Sequence, residues 1–374
     1  MKFDYTIIGC GLFGVVFARE MTDLGYRCQI FDKRDHIGGN VYTEQRDGIN
    51  VHKYGPHIFH TNSVEVWRYV NRFAEFNNFN YRCKVNFEDK IYSFPINLHT
   101  FHQIWPHVIK PNQIDKAIQA NKELFGWVDV ERPSNLEEWI INQVGPTLYQ
   151  YFIKGYTTKQ WGTSPSKLPV SIIKRLPIRY TYDDRYFKND LFQGIPTEGY
   201  TKMVERMLEG QTQVHLGVEF NPSDYHPNMG TLIWTGPIDA FYGYQFGKLD
   251  YRSLKFVEEE HDGCVQGNAV VNYTSERVPF TRILEHKFFD LNDSLDGKTI
   301  ITKEFPSKEG DPYYPIRDES NLAKLAKYVE IEPDIPVIFG GRLGTYQYYD
   351  MDQIIAQARK AAQTENLRRL NLVR

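Results

Sequence analysis

The chain has 374 residues, 41% hydrophobic and 24% charged, with a net charge of −3. That length exceeds one simple core, so two or three domains are expected, and the nearly balanced charge removes any electrostatic case for binding nucleic acid or an anionic membrane surface. No apolar run approaches the ~20 residues that cross a bilayer, and the four cysteines (Cys10, Cys28, Cys83, Cys264) are scattered with no C-x-x-C pair, which fits reduced thiols in a cytoplasmic enzyme.

The opening "MKFDYTIIGCG" enters a strand almost at once, so no cleaved leader is expected. Phe3 to Gly9 reads as a buried strand, "LFGVVFAREMTDLG" has helical spacing with Gly25 as its stop, and "YRCQIFD" is a second strand ending at Asp32. Strand, helix, strand is the start of a doubly wound parallel sheet. From Pro111 to Ile173 the pattern turns helical: "NLEEWIINQVG" and "TLYQYFIKGYTTKQW" carry apolar residues at helical spacing, with Ser134 or Asn135 as cap. From Arg179 to about Thr302 strand-like segments dominate, among them "RYTYDD", "AVVNYTS" and "TIITKEF". "LIWTGPID" reads as a buried parallel strand meeting a turn. "IPVIFGGRLGTYQYYDMDQIIAQARKAAQ" is again strand, glycine turn and helix, so the two ends of the chain are expected to share one sheet.

Gly9, Gly11 and Gly14 form G-x-G-x-x-G between a strand and a helix, and Asp32 follows 18 residues after Gly14. In that context the first glycine permits the tight turn, the second lets a pyrophosphate approach the backbone, and the third lets helix and strand pack closely. The helix N-terminus presents N–H groups to phosphate, and the acid meets ribose hydroxyls. Asp32 with Lys33 and Arg34 does not choose between NAD and FAD. The glycine pair Gly38-Gly39 in "RDHIGGNVYT" resembles the R-x-x-x-G-G-x-x-x-T segment of many FAD enzymes of the glutathione-reductase and amine-oxidase type, where it contacts FAD opposite the first loop; an ordinary turn is the bland alternative. The 25 Tyr, 24 Phe and 6 Trp suit either a nucleotide or sugar site or a tyrosine-rich core.

Longer segments carry a fuller match. "HKYGPHIFHTN", "IKGYTTKQWG", "IIKRLPIRYTYDDRYF", "QGIPTEGYTKMVERMLEG", "VPFTRILEHK", "PYYPI" and "FGGRLGTYQYYDM" resemble the bacterial UDP-galactopyranose mutases over essentially the whole chain. The resemblance implies an α/β protein in three parts. These are an FAD-binding, doubly wound (Rossmann-like) domain of residues 1–75, 196–245 and 334–374, an inserted helical domain of residues 102–172, and an antiparallel β-sheet domain of residues 76–101, 173–195 and 246–333. It further implies a homodimeric isomerase that interconverts UDP-galactopyranose and UDP-galactofuranose for cell-surface polysaccharide, without net redox change. Reduced FAD would act through a flavin N5–sugar C1 iminium, with an electron donor such as NAD(P)H keeping the flavin reduced.

By the same resemblance Arg175 and Arg282 grip the diphosphate, Arg175 on a mobile loop bracketed by Pro169 and Pro177, and Tyr186, Tyr314 and Tyr348 assist. Phe152, Tyr156 and Trp161 meet uracil and its ribose, although their spacing equally suits helix core, and Arg252 lies near the sugar. His57 and His60 sit beside the flavin and sugar, with His60 counted among the catalytic groups. A metal reading of the two with His52 lacks an acid or cysteine cluster. The flavin contacts expected are Gly9, Gly11, Leu12, Phe13, Gly14, Asp32, Lys33, Gly38, Gly39, Asn40, His57, His60, Arg342, Tyr349, Asp350 and Met351. Two departures stand out: Asp352 occupies a position where many relatives carry His, and "NNFNYRCKV" (Asn77 to Val85) matches poorly. The competing readings are an FAD-dependent oxidoreductase of amine-oxidase or desaturase type, and a nucleotide-binding sensor without catalysis.

Overall fold

The computed structural model describes residues 2–170, 178–210, 212–292 and 294–372. The chain divides into two compact units, one of Met1–Asn78, Asp190–Ser253 and Lys308–Arg374, the other of Phe79–Asn189 and Leu254–Ser307.

The first unit is built on a five-stranded parallel sheet in the order Val337–Phe339, Thr231–Trp234, Tyr5–Ile8, Cys28–Asp32, Gln213–Leu216. Both ends of the chain therefore share one sheet, as the sequence pattern predicts. Tyr5, Ile7, Cys28, Ile30, Leu232 and Ile233 have no exposed surface, the near-continuous apolar character of strands covered on both faces. The helix Leu12–Asp23 supplies the crossover between the first two strands. It ends where the Leu24 N–H turns back to Met21 and Gly25 takes φ 88°, a left-handed conformation that glycine reaches without steric cost. Its buried Val15, Val16, Phe17, Ala18 and Met21 pack with the helix Met351–Leu372, whose Ile355, Ala358 and Ala362 recur at helical spacing and are fully covered. On its other side the helix Leu12–Asp23 approaches the strand Tyr5–Ile8 closely, which needs Gly14, because a Cβ there would lie 2.2 Å from the Gly9 carbonyl oxygen and 2.9 Å from Ile7.

In the second unit the sheet runs Tyr251–Asp262, Lys298–Ser307, Arg282–Glu285, Val270–Tyr273, Lys84–Phe87, Lys90–Ser93, the first strand entering from the other unit. Its pairing is mixed, since Val270–Tyr273 lies parallel to Lys84–Phe87 while its other neighbour, Arg282–Glu285, is antiparallel. The helical segment falls in this same unit. Asn135 is the cap of Leu136–Leu148, accepting from the Glu138 N–H at 3.0 Å, while Ser134 returns its N–H and hydroxyl to the Glu138 carboxylate. Gly145, at φ 80° and ψ 165°, kinks that helix just before Pro146, and a π-helical turn over Tyr149–Lys154 leads into Gly155–Trp161.

Two expectations from the strand-rich stretch are corrected. "RYTYDD" forms no strand: the buried Arg179 directs its guanidinium to the carbonyls of Asp183, Arg185 and Tyr186 and curls the segment around itself. Residues Gly199–Leu208 form a helix whose Tyr200, Met203, Val204 and Met207 are buried at the 3–4 residue spacing that a strand reading overlooks.

Gly14→Ala is expected to destabilise the protein by about 1–3 kcal/mol, the usual cost of overpacking. Urea unfolding followed by circular dichroism checks it, and an unchanged midpoint would contradict the packing described.

Candidate functional site

The carboxyl ends of four parallel strands open onto a cavity of about 580 Å³, bordered by Gly9, Asp32, Thr235 and Gly341. Ligands bind in this position of a doubly wound sheet because the strand ends diverge there and helix N-termini converge. Gly9, at φ 106°, makes the turn out of the first strand; a Cβ on it would sit 2.0 Å from Thr235 Oγ1, which itself donates to the Ile8 carbonyl at 2.6 Å. Gly11 is different. Its Cβ position meets no protein atom within 4 Å, so the backbone there faces open space at the start of the helix.

The second glycine pair is explained by the first loop. Gly38 (φ 87°) donates its N–H to the Cys10 carbonyl at 2.9 Å, and a Cβ on Gly39 (φ 56°) would come within 2.9 Å of Gly11 Cα. The two loops thus lie backbone on backbone. Asp32 ties them to the sheet by accepting from the Cys10 N–H at 2.7 Å and the Arg34 N–H at 2.9 Å. Burial, with the nearby Asp32 charge, pushes the Cys10 thiol up to about 12 despite the opposing Gly38 contact, which keeps it protonated.

One wall carries a charged group that sequence reasoning missed. Asp311 binds Lys33 at 2.8 Å and Arg34 at 2.9 Å, while Arg34 also donates to Asn40 at 3.0 Å and lies 4.3 Å over the Tyr54 ring. Burial raises the Asp311 carboxyl, but the two cations more than offset this and hold it below the usual carboxylate range. Arg34 and Asp311 are 277 positions apart in sequence, so no local pattern signals the pair. Thr235 and Tyr244 were missed for the same reason.

His57, Arg342 and Met351 also line the cavity. The His57 Nδ1 lies 2.9 Å from the Gly55 carbonyl. Arg342 donates Nε and Nη2 to the Tyr349 carbonyl at 2.8 and 2.5 Å and lies 4.5 Å over the Tyr348 ring. Tyr348 stacks on Tyr314 with ring centroids 6.0 Å apart, and Tyr314 is the strand partner of the buried Arg252. Of the flavin contacts expected from sequence, Gly9, Gly11, Leu12, Phe13, Gly14, Asp32, Lys33, Gly38, Gly39, Asn40, His57, Arg342 and Met351 border the cavity. Tyr349, Asp350 and His60 are near those residues in sequence but do not line it. His60 instead pairs through Nδ1 with Asp190 at 2.6 Å. Asp352 accepts from Thr61 Oγ1 at 2.9 Å and from the Gln353 N–H at 2.7 Å, at the positive end of its helix.

The second unit holds the remaining expected residues. Arg282 donates Nε to Glu304 at 2.8 Å, its register partner on the next strand, and Glu304 is only 1% exposed. The Arg282 charge also acts on Tyr81 and Cys83; burial still raises both, the thiol to about 11. Tyr186 lies against Tyr81, ring centroids 4.9 Å apart. Phe152 is core: 3% exposed, it sits on the π-helical turn, stacked on Phe94 and edge-on to Tyr92. Tyr156 and Trp161, half-buried, belong to the following helix. Arg175 and the 171–177 segment lie outside the described residues.

Fold and cavity together define a nucleotide-binding protein of the Rossmann-like class, and residues 7–73 match the model for an NAD(P)-binding Rossmann-like domain. Residues 151–348 match the UDP-galactopyranose mutase family model. A probable UDP-galactopyranose mutase of Klebsiella pneumoniae is 44% identical, covering 95% of this chain and 93% of its own. A dTDP-fucopyranose mutase of Escherichia coli is 40% identical, covering 96% and 97%. A crystal structure of reduced UDP-galactopyranose mutase superposes with a TM-score of 0.70 at 16% identity, covering 97% and 93%. The chain belongs to the UDP-galactopyranose mutase family.

Gly11→Val is expected to leave folding largely intact, since a Cβ there has no protein atom within 4 Å, and to abolish retention of a bound dinucleotide by filling its pyrophosphate path. Cofactor absorbance of the purified variant, beside its melting curve, checks both halves.

Proposed function

We propose that the protein is a UDP-galactopyranose mutase, an isomerase that interconverts UDP-galactopyranose and UDP-galactofuranose with FAD, active when reduced, in the cavity of the first unit. The observation that carries this reading is the cavity itself, lined by bare backbone at Gly11, an acid at Asp32, and His57, Arg342 and Met351. These residues fit FAD. The open space at Gly11 and the helix N-terminus accept its pyrophosphate, and Asp32, fixed by two backbone N–H groups, accepts from a ribose hydroxyl. The start of the helix Met351–Leu372 suits negative charge on the ring system. Reduced flavin supplies a nucleophile for the sugar C1 while the ring opens and recloses, so no electron is consumed over the cycle.

The chain's own task is to hold the nucleotide and stabilise the diphosphate as its bond to C1 lengthens. Arg282, oriented by Glu304, serves the diphosphate with Tyr186, Tyr314 and Tyr348, and Arg175 joins them. His60 acts beside the sugar. Tyr156 and Trp161 meet uracil, with Phe152 supporting them from the core. Arg252 bears on the sugar through its strand partner Tyr314. The remaining parts of the proposal are a homodimer, a cytoplasmic location, an electron donor such as NAD(P)H, and a product destined for cell-surface polysaccharide.

A second reading has a specific support, because the dTDP-fucopyranose mutase matches nearly as well as the first relative. An assay of dithionite-reduced protein with each sugar nucleotide, products resolved by chromatography, separates the two. Furanose product from UDP-galactopyranose with no stoichiometric oxidation of NAD(P)H is expected. Product from dTDP-fucopyranose alone would shift the substrate, and reductant consumed with each turnover would return the oxidoreductase reading.

Arg282→Ala is expected to cost about 2–4 kcal/mol in transition-state stabilisation, measured as kcat/KM of flavin-loaded, reduced protein. Some loss of folded protein will accompany it, since Glu304 is left buried without its cation. Arg282→Lys keeps the charge but loses the fork, so partial recovery is expected. Near-normal turnover of Arg282→Ala would remove this residue from the mechanism.

A further inference from the structure

The strand Phe59–Thr61 pairs antiparallel with Phe192–Gly194, which sets His60 opposite Gln193. Just ahead of that partner strand, Asp190 reaches back to the histidine. Its Oδ2 lies 2.6 Å from His60 Nδ1, and its Oδ1 accepts from Asn62 Nδ2 at 2.8 Å. The Asn62 side-chain Oδ1 in turn accepts from the Leu191 N–H at 3.0 Å. The carboxylate is thereby gripped at both oxygens, by residues on either side of Thr61, and His60 and Asp190 keep only 16% and 20% of their side-chain surface exposed. On the same strand end Thr61 is bound to Asp352, so the backbone carrying His60 is fixed on both of its faces.

An ionised carboxylate can only accept hydrogen bonds. Nδ1 must therefore carry the hydrogen, and in the neutral ring the lone pair falls on Nε2, the opposite of the tautomer that an imidazole prefers in water. Neither the cofactor cradle nor the diphosphate grip described above uses Asp190. We propose that Asp190 is the positioning residue for His60: it fixes the ring's orientation and holds it as the Nδ1–H tautomer, which leaves Nε2 as the basic atom of the neutral ring. The catalytic part of this statement rests on the mutase reading; the tautomer does not.

The test uses FAD-loaded protein labelled with 15N at histidine, the His60 signal being assigned with His60→Gln, at a pH where the ring is neutral. Long-range 1H–15N spectra are expected to show the Nδ1–H form in the natural protein and a shift toward Nε2–H in Asp190→Ala. In reduced protein, kcat for furanose formation is expected to fall about 10- to 100-fold with KM unchanged, by analogy with the loss when a partner that orients a metal-ligating histidine is removed. Asp190→Asn guards against misfolding: its amide oxygen still accepts, so a mixed tautomer and an intermediate kcat are expected. An Nε2–H ring in the natural protein, or a tautomer indifferent to Asp190→Ala, overturns the proposal. A changed tautomer with unchanged kcat overturns the positioning role. If the natural protein converts no sugar nucleotide, the mutase reading and the catalytic role fall together, while the 15N signal alone still decides the tautomer.

Discussion

The first unit depends on two stretches of backbone meeting with no side chain between them. The turn at Gly11 and the turn at Gly38-Gly39 come so close that a single methyl group at Gly39 would clash with Gly11 Cα. Their polar groups are consumed locally, Gly38 on Cys10 and Cys10 on Asp32, so a buried turn is left with satisfied donors rather than a desolvation penalty. One side of the cavity follows from this. The acid is held in one rotamer, the helix start faces the open side, and Lys33, Arg34 and Asn40 are carried to the rim by the same short segment.

Sequence made much of this legible because the relevant signals are local. Strand, glycine turn, helix and acid occur within residues 5–32, and each has a characteristic periodicity or spacing. The return of the C-terminal segment to the same sheet was readable too, since "VIF" and "LIW" are short buried runs followed by glycine turns. Failures arose where a long-range polar contact overrode a local pattern. "RYTYDD" alternates like a strand, yet a buried guanidinium reaching three carbonyls defines its path. Gly199–Leu208 was hidden by its strand-rich surroundings despite clear helical spacing.

The site was less legible than the fold. Glycines announce themselves, because their constraint is steric and belongs to one residue. Partners of charged groups do not: Asp311, Asp190 and Glu304 are ordinary acids in sequence, and each acquires meaning only by facing Arg34, His60 or Arg282. Aromatic spacing is ambiguous for a related reason. The spacing of Phe152, Tyr156 and Trp161 suits helix core as well as a binding stripe, and Phe152 on the π-helical turn Tyr149–Lys154 is core while Tyr156 and Trp161 on the next helix are half-buried.

The ion pair at Arg282 has an entropic consequence. An arginine side chain carries roughly 2 kcal/mol of rotamer freedom, normally surrendered when it closes on an anion. Glu304, on the neighbouring strand and almost fully covered, already restricts that freedom in the folded chain by holding the guanidinium at 2.8 Å. An Arg282 that grips the diphosphate as proposed would do so as part of the sheet rather than as a tether, with little further side-chain freedom to surrender.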